Sequence, residues 1–442
     1  AQVRAVGSGH SWADVAVTGG FLFRPERLDK ILPRDPSLLR PEVDRATLVQ
    51  VESGMRIREL NRELDARGLA LANMGGYDGQ TFVGAISTST HGSGLAFGPL
   101  SDAVESIDLV ASGGAVYRVE RSAGITDAAQ YQRLHPDRKL VQSDDWFNAV
   151  VVGMGCMGVI YSVILRVTRK YWLKEVRSLS TWDRVKADLR AGDVLKVNRH
   201  YEILINPHKV QGRHRCLITT RNPIARPTSL PADKASRNFL SELFASLPFV
   251  QRLITKLLRR VPEITDEVID GIIESLVDDA YINVSYKVLN IGVANEIPAI
   301  SAEIGVPLQD GAYLAAVDRF LELVAEHKHQ LGWYHTAPVS LRFVRASPAF
   351  LSMMQDRETC MIEIIMAKGT RGAAEMMRRY ESELYTFSGR PHWGQINSLV
   401  GGRDLLCSLY PLYERWMDVH RTLNAAGTFA SPFARRAGFA EG

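Results

Sequence analysis

The sequence predicts an α+β protein with two domains. The chain has 442 residues, and a domain usually holds about 100–200 residues, so more than one hydrophobic core is expected. Short β-branched runs separated by glycine fill the first 170 residues, whereas strand patterns alternate with long helical patterns after residue 280. Hydrophobic residues make up 46% and charged residues 23% of the chain, and both values are typical of globular domains.

Residues 1–170 are predicted to form the first α+β domain. Residues 46–54 and 107–114 are strand patterns, and 55–64 is a helix pattern whose apolar positions fall on one face. Residues 2–6 also form a strand pattern. Because the chain starts within it, further residues are expected upstream, and a signal peptide there is an open alternative.

Residues 171–395 are predicted to form the second domain. A mobile loop or linker is predicted near 221–236, where three prolines occur among serines and basic residues. A helix-rich stretch is expected from 237 to 279, and its basic piece 249–260 is amphipathic. A helix that packs on a domain with a solvated basic face is favoured for this piece, and a helix that contacts a membrane surface or a partner is the alternative.

The rest of the second domain alternates strands with helices. The predicted strands are β-branched runs, and the predicted helices repeat apolar residues at intervals of three and four. We expect strands at 280–286, 339–344 and 360–366, and helices at 311–330 and 371–386. This pattern is typical of a sheet with covering helices.

Composition and charge limit the classes of function. The net charge is only +4, and no basic tract contains interleaved aromatic residues, so no nucleic-acid partner is predicted. The four cysteines are scattered and lack metal-ligand spacing; reduced thiols in a cytoplasmic protein are favoured over a disulfide, and no metal centre is predicted. The longest apolar run, 149–165, falls short of the ~20 residues of a spanning helix, and its three glycines favour buried strands joined by a turn.

Three glycine-containing segments carry chemical information. His10 lies in a glycine turn at residues 6–12, and residues 87–94 combine small hydroxyl residues with glycines that let backbone N–H groups converge on a phosphate. Each of these segments alone also fits an ordinary polar turn. Residues 153–158 match GxGxxG, but a dinucleotide fingerprint needs a following helix, and residues 159–167 form a β-branched strand pattern instead. A nicotinamide site at this place is therefore the weaker hypothesis.

The order of the motifs resembles the vanillyl-alcohol-oxidase superfamily, and within it the sugar-1,4-lactone oxidase and alditol oxidase branch. The resemblance covers nearly the whole chain, and the motifs are specific as an ordered set. They are Gly7–Ser11, Gly84–Gly94, Gly153–Val163, Arg390–Gly394 and Gly427–Phe433.

The resemblance implies a two-domain flavoprotein. Residues 1–170 would bind FAD, residues 171–395 would form the substrate-binding cap, and residues 396–442 would return to the FAD domain. His10 would carry the flavin through an 8α-histidyl bond. The residues implied to bind the cofactor are Gly7, Ser8, Gly9, His10, Ser11, Gly84, Ser87, Thr88, Ser89, Thr90, His91, Gly92, Gly153, Gly158 and Ile160.

The resemblance also implies an active site that differs from the family pattern at two positions. The family places an arginine two residues after a glutamate on one strand, and a lysine after the His-Trp pair. Arg342 matches the arginine, whereas Ser340 stands at the position of the glutamate and Gln395 at that of the lysine. Gln395 forms hydrogen bonds but is neither a base nor a cation.

Flavin-dependent oxidation of an alcohol also needs a proton acceptor for the hydroxyl group. The candidates are Glu363, which lies within an apolar strand pattern, and the histidines His335 and His392. A structurally paired carboxylate or a structural histidine is the alternative for each. Arg342, Gln395, Glu363 and His392 are the predicted catalytic residues.

The predicted function is an FAD-dependent oxidoreductase. It would oxidise an alcohol or hemiacetal carbon of a sugar-related or divergent small molecule by hydride transfer to flavin N5. Oxygen or another electron acceptor would reoxidise the flavin. The alternative is a catalytically reduced flavin-binding protein that acts as a binding or partner module.

Overall fold

A computed structural model describes residues 1–228, 260–291, 299–399 and 401–440 of the chain. Helices and sheets are mixed throughout these residues, and the predicted α+β class is confirmed. Two large sheets dominate, one with six strands and one with eight.

The strands of the described residues number eighteen. The first ten are β1 (Val3–Ala5), β2 (Phe21–Phe23), β3 (Ile31–Leu32), β4 (Leu48–Glu52), β5 (Leu69–Ala70), β6 (Val104–Val110), β7 (Val116–Glu120), β8 (Lys139–Gln142), β9 (Val159–Arg166) and β10 (Thr168–Arg169). The other eight are β11 (Trp172–Thr181), β12 (His200–Ile205), β13 (Arg215–Ile224), β14 (Tyr281–Val284), β15 (Ala299–Pro307), β16 (Val339–Val344), β17 (Thr359–Ala367) and β18 (Arg390–Pro391).

The α-helices of the described residues connect and cover these strands. They are Ile57–Ala66, Phe82–Ser87, Ala128–Leu134, Asp144–Val150, Trp182–Ala191, Val194–Val197, Thr265–Ser275, Ser285–Leu289, Ala312–Leu331, Ala373–Tyr385, Gly402–Leu409, Tyr413–Leu423 and Pro432–Arg436. None of them combines the length and the apolar content that crossing a membrane requires.

The six-stranded sheet has the strand order β3-β4-β9-β6-β7-β8. Its pairs are antiparallel except β7 with β8, which are parallel. The helix Ile57–Ala66 buries Ile57, Leu60 and Leu64 in the same core as the sheet, because residues three and four apart lie on one helix face. This sheet and its helices form the N-terminal layer beside the site described below.

The eight-stranded sheet has the order β14-β11-β13-β12-β16-β17-β15-β18, and its pairs are antiparallel. Alternate residues of β15, β16 and β17, such as Ile304, Leu341 and Ile362, pack in one core with residues of the helices Ala312–Leu331 and Ala373–Tyr385. Since side chains alternate between the two faces of a strand, the intervening residues face the other way. That second face carries the charged residues of the site.

The C-terminal residues pack against the N-terminal layer. The backbone N–H of Val3 donates to the carbonyl of Thr428 (2.7 Å), and the indole of Trp416 donates to the carbonyl of Val152 (3.2 Å). The buried guanidinium of Arg4 donates to the carbonyls of Met154 (2.7 Å) and Gly155 (2.8 Å). The predicted domain borders near residues 170 and 395 stay predictions.

Two local predictions differ from the structure. Ala149 and Val150 end the helix Asp144–Val150 and are not part of a strand; Ser143 caps this helix with its side chain and the first turn is acidic, so these local signals outweigh the apolar run. The strand β13 continues to Ile224, because its pairing with β11 extends that far. The predicted loop near 221–236 therefore begins after Ile224, and its part beyond residue 228 lies outside the described residues.

Most of the predicted helical stretch 237–279 also lies outside the described residues, including nearly all of the basic piece 249–260. The described remainder contains the helix Thr265–Ser275. All four cysteines are free thiols, three of them buried and Cys407 exposed.

Candidate active site

A cavity of about 670 Å³ lies between the N-terminal loop and the charged face of the eight-stranded sheet. Residues 5–13 line one wall, the helix Phe82–Ser87 and the residues after it line a second, and Glu303, Arg342 and Glu363 line the far end. The N-terminal loop contacts this end directly, because Trp12 N–H and Ser11 Oγ both donate to the carbonyl of Gly394 (2.9 and 2.8 Å).

Most of the residues predicted to bind the cofactor line this cavity. They are Gly7, Ser8, Gly9, His10, Ser11, Gly84, Ser87, Thr88, Thr90, His91, Gly158 and Ile160.

Ser89, Gly92 and Gly153, also predicted to bind the cofactor, do not line the cavity. Ser89 has a left-handed backbone conformation (φ 58°), and its hydroxyl is buried 2.8 Å from that of Ser352. A side chain on Gly92 would collide with Asn73 Oδ1 and the carbonyl of Met74, both 2.5 Å from a Cβ. These residues lie behind the cavity wall, in the same loops as the residues that line it.

The loop walls fit a dinucleotide. A Cβ on Gly7 would lie 2.2 Å from Thr81 Oγ1, so only glycine lets the two segments approach this closely. Thr81 in turn caps the helix Phe82–Ser87 by accepting the N–H of Gly84 (3.2 Å). The buried hydroxyl of Ser8 has no hydrogen-bond partner among the described residues and is available to a phosphate or ribose oxygen. Backbone and hydroxyl groups of this kind bind phosphate.

His10 is exposed beside Tyr77. Its Nε2 lies 3.1 Å from the Tyr77 hydroxyl, and the two rings meet edge to face with centroids 4.7 Å apart. Burial of part of the ring, together with the positive charges of Arg58 and Arg56, lowers the pKa of His10. The imidazole is therefore neutral near pH 7, which is the form that acts as a nucleophile.

The loop at 153–158 is not a nicotinamide fingerprint. The strand β9 follows it directly, whereas the fingerprint needs a helix whose N-terminus meets the pyrophosphate. A Cβ on Gly158 would lie 2.7 Å from the carbonyl of Val110, so this glycine permits close backbone packing. Gly155 and Gly158 nevertheless line the cavity, as the flavin hypothesis expects.

The sheet register assembles a charged row at the far end of the cavity. Glu303 on β15 pairs with Glu363 on β17, and Glu363 pairs with Ser340 on β16. The guanidinium of Arg342 lies 2.6 Å from Glu363 Oε2 and 3.6 Å from Glu303 Oε1. Two carboxylates, Glu363 from β17 and Glu303 from β15, thus lie beside Arg342.

Glu303 also belongs to this candidate site, although no motif in the sequence points to it. Its side chain is only 4% exposed and lies 3.3 Å from His91 Nε2, and Gln395 donates to its second oxygen (3.3 Å). Burial alone raises the pKa of Glu303, but the neighbouring His91, His392 and Arg342 together outweigh burial and lower it. The carboxylate therefore stays ionised. A single acidic residue within the apolar run 302–306 was the signal available in the sequence.

His392 lies beside this row. Burial is the main cause that lowers the pKa of His392 to about 4. Its Nδ1 accepts the N–H of Gly394 (3.0 Å), so in the neutral ring the proton is on Nε2 and this nitrogen donates. Polar atoms of His91, Glu303 and His392 lie within 4.8 Å of one another. The nearby Arg342 cation disfavours a divalent metal there, and the absence of a metal centre stays a prediction.

His335 lies elsewhere in the structure. Its fully buried ring packs against Phe320 and Tyr380 (centroids 5.7 and 5.9 Å apart), and it is not among the residues that line the cavity. His335 is therefore too far from the cavity to act as the base, and the candidate bases are the residues of the charged row.

Comparisons with known proteins identify the family of this chain. Residues 1–120 match the family model described as FAD binding domain, and residues 163–437 match that described as D-arabinono-1,4-lactone oxidase. The chain is similar to L-gulono-1,4-lactone dehydrogenase of Mycobacterium tuberculosis (27% identity, 98% of this chain and 90% of the relative). It is also similar to L-gulonolactone oxidase of Mus musculus (26% identity, 98% and 89%).

Among solved structures, the fold resembles cholesterol oxidase from B. sterolicum, with a TM-score of 0.77, 14% identity and coverage of 99% of this chain and 89% of that chain. The two matched family models, together with the similar lactone dehydrogenase and oxidase, define an FAD-linked oxidoreductase that acts on CH–OH groups. The second match covers more than half of the chain, and the protein belongs to the D-arabinono-1,4-lactone oxidase family. The predicted resemblance to the sugar-lactone oxidase branch is confirmed.

Proposed function

We propose that this protein oxidises a secondary alcohol of a neutral sugar 1,4-lactone and passes the electrons to FAD. The observation that supports this most strongly is Arg342, held between Glu303 and Glu363 at the end of the FAD cavity. FAD would supply the hydride acceptor for this reaction, and oxygen or another acceptor would take the electrons from it. The relatives named as lactone oxidases and dehydrogenases support the same class of substrate.

The charges of the far end favour an uncharged substrate. Arg342 is already paired with two carboxylates, so it has no unbalanced positive charge for a sugar acid. Its remaining N–H groups are able to hold a hydroxyl or carbonyl oxygen of the lactone. Gln395 and His392 add neutral hydrogen-bonding groups to the same wall. We infer that Arg342, Gln395, Glu363 and His392 orient the substrate.

The cofactor would lie along the remaining walls. We propose that His10 forms the covalent bond to the flavin and that the cavity-lining residues of the 7–11 and 84–91 segments hold the pyrophosphate. Ser89, Gly92 and Gly153 would act by shaping these loops. The domain of residues 1–170 would carry FAD, with the cap at 171–395 and the returning segment at 396–442.

Anaerobic reduction of the flavin by candidate substrates tests this function. L-gulono-1,4-lactone and D-arabinono-1,4-lactone should bleach the flavin absorbance of the purified holoenzyme, because an oxidisable hydroxyl next to the lactone carbonyl would meet the flavin. The open-chain gulonate anion is the matched control and should bleach it far more slowly, since Arg342 has no charge to spare. Bleaching by gulonate but by no lactone would contradict the proposal, as would a lack of bleaching by either.

A further inference from the structure

His91 and Glu303 form a buried pair, of which only His91 lies in one of the motifs, where the resemblance implies contact with the cofactor. Their side chains are 3% and 4% exposed, with His91 Nε2 3.3 Å from Glu303 Oε1. His91 comes from the loop after the helix Phe82–Ser87, and Glu303 comes from β15. Both line the cavity, so a substrate hydroxyl is able to reach the pair.

The hydrogen bonds of His91 fix the position of its proton. Nδ1 lies 2.8 Å from the carbonyl oxygen of Gly92, and a carbonyl only accepts, so Nδ1 carries the hydrogen. In the neutral ring Nε2 then has a free lone pair, and this nitrogen lies 3.3 Å from Oε1 of the ionised Glu303 carboxylate. Oε1 of Glu303 receives no hydrogen bond among the described residues. The two atoms leave a place for one proton between them.

The other groups at this end of the cavity are less suited to accept a proton. Glu363 Oε2 is occupied by the guanidinium of Arg342 (2.6 Å). His392 uses its Nδ1 lone pair to accept the N–H of Gly394 (3.0 Å), so the other nitrogen of the neutral ring is a donor. Ser340, at the position where the family has a glutamate, carries only a hydroxyl group, which is a weak base. The pair of His91 and Glu303 combines a lone pair with a neighbouring charge that stabilises the accepted proton.

We propose that His91 and Glu303 act together as the acceptor of the substrate hydroxyl proton. This inference rests on the proposed function. FAD held in the cavity would supply the acceptor for the hydrogen and both electrons of the C–H bond, and the hydroxyl proton moves to the pair formed by Glu303 Oε1 and His91 Nε2. The carbon–oxygen single bond becomes a carbonyl. The proton stays on the imidazole beside the ionised Glu303 and leaves to solvent before the next turnover.

The surrounding charges set when this pair accepts a proton. Arg342 faces Glu303 at 3.6 Å and disfavours the proton, while Glu363 neutralises part of that charge from β17. The His392 ring, 6.0 Å from that of His91, is neutral at pH 7. Burial and the charge of Glu303 raise the pKa of Cys360, so this group stays a neutral thiol. A protonated pair is unable to accept a second proton, so catalysis should fail at low pH.

Stopped-flow reduction of the holoenzyme by a lactone, measured anaerobically from pH 5 to 9, tests the pair. The wild-type rate constant for flavin reduction should fall toward low pH. In Glu303→Gln and His91→Gln the limiting rate constant should drop by about 10²–10³-fold, with the lactone Kd little changed and the fall toward low pH abolished. The double variant should be no slower than the slower single variant, because two residues of one unit do not add.

Three controls separate this role from a structural one. Glu363→Gln removes the other carboxylate that forms an ion pair with Arg342, and its rate constant for flavin reduction should still fall toward low pH. Glu303→Asp keeps a carboxylate at position 303, and its rate constant should again fall toward low pH. Flavin absorbance per protein measures cofactor binding, and the melting temperature measures folding. If Glu303→Gln loses FAD, the rates of His91→Gln and Glu303→Asp test the role of the pair instead. A chelator should leave the wild-type rate unchanged.

The inference is overturned if the single variants keep the low-pH fall, if their losses multiply in the double variant, or if chelation stops flavin reduction. A wild-type flavin that no lactone reduces would instead overturn the proposed function.

Discussion

At the scale of single residues, chemistry here depends on partners from distant parts of the chain. Arg342 was identifiable from its motif, and Glu363 from its place in an apolar strand. Glu303 was not, because its importance comes from lying opposite Glu363 in the sheet. Strand pairing between separated segments is set by tertiary packing and not by a local pattern. The sequence therefore predicted Arg342 and Glu363 but not Glu303.

His10 carries the prediction that belongs to this scale. We expect the wild-type protein to stay yellow and fluorescent after acid precipitation, because the neutral imidazole beside Tyr77 is suited to bond with the flavin. His10→Ala should release all flavin into the supernatant. His329→Ala removes an exposed histidine on the helix Ala312–Leu331 and should keep the flavin on the protein. Release of flavin from the wild type would disprove the covalent bond while leaving FAD binding intact.

At the scale of elements, periodicity located most strands and helices to within a few residues. The helix Ile57–Ala66 and the strands β9, β16 and β17 lie where the pattern placed them, since each buries one face in a core. The strand predicted at the start of the apolar run 149–165 was wrong, because a buried helix end and a buried strand have similar compositions. The cap and acidic first turn at Ser143–Asp145 were the signals for the helix there.

Two glycines should respond to alanine in opposite directions. Gly271 lies exposed within the helix Thr265–Ser275, and a Cβ there meets no atom within 4 Å. Gly271→Ala should therefore raise the free energy of unfolding by about 0.5–1 kcal/mol. Gly54 follows β4, and its Cβ would lie 2.0 Å from the carbonyl of Pro25, so Gly54→Ala should lower that free energy by about 1–3 kcal/mol. Urea unfolding measures both, and equal effects would contradict the packing described for Gly54.

At the scale of the whole molecule, the site lies where three parts of the chain meet. The N-terminal loop, the loop after residue 87 and the charged face of the eight-stranded sheet each supply one wall. The C-terminal residues hold this assembly through Thr428 and Trp416. The order of the motifs predicted which segments would meet. It did not predict the register that brings two carboxylates to Arg342, because that register depends on the complete sheet.

Acid stability is a property of the whole fold that follows from its buried histidines. Burial is the main cause that lowers the pKa to about 3 for His200 and His335, and to about 4 for His392 and His420. In the unfolded chain histidine titrates near pH 6.5, so below that pH the unfolded state binds more protons than the native state. Stability is therefore fully present above about pH 6.5 and is lost as the pH falls toward 4.

Each of these histidines should contribute up to about 1.4 kcal/mol of lost stability per pH unit in that window. Urea unfolding of the holoenzyme from pH 7.5 to 4.5 should show this decline. His335→Leu removes one buried titrating ring from the core around Phe320. The free energy of unfolding of this variant should fall less steeply with decreasing pH, by about the contribution of one histidine. His329→Ala removes an exposed histidine of the helix Ala312–Leu331 and is the control for the substitution of a histidine as such. A His335→Leu slope equal to that of the wild type would mean that His335 is protonated equally in both states.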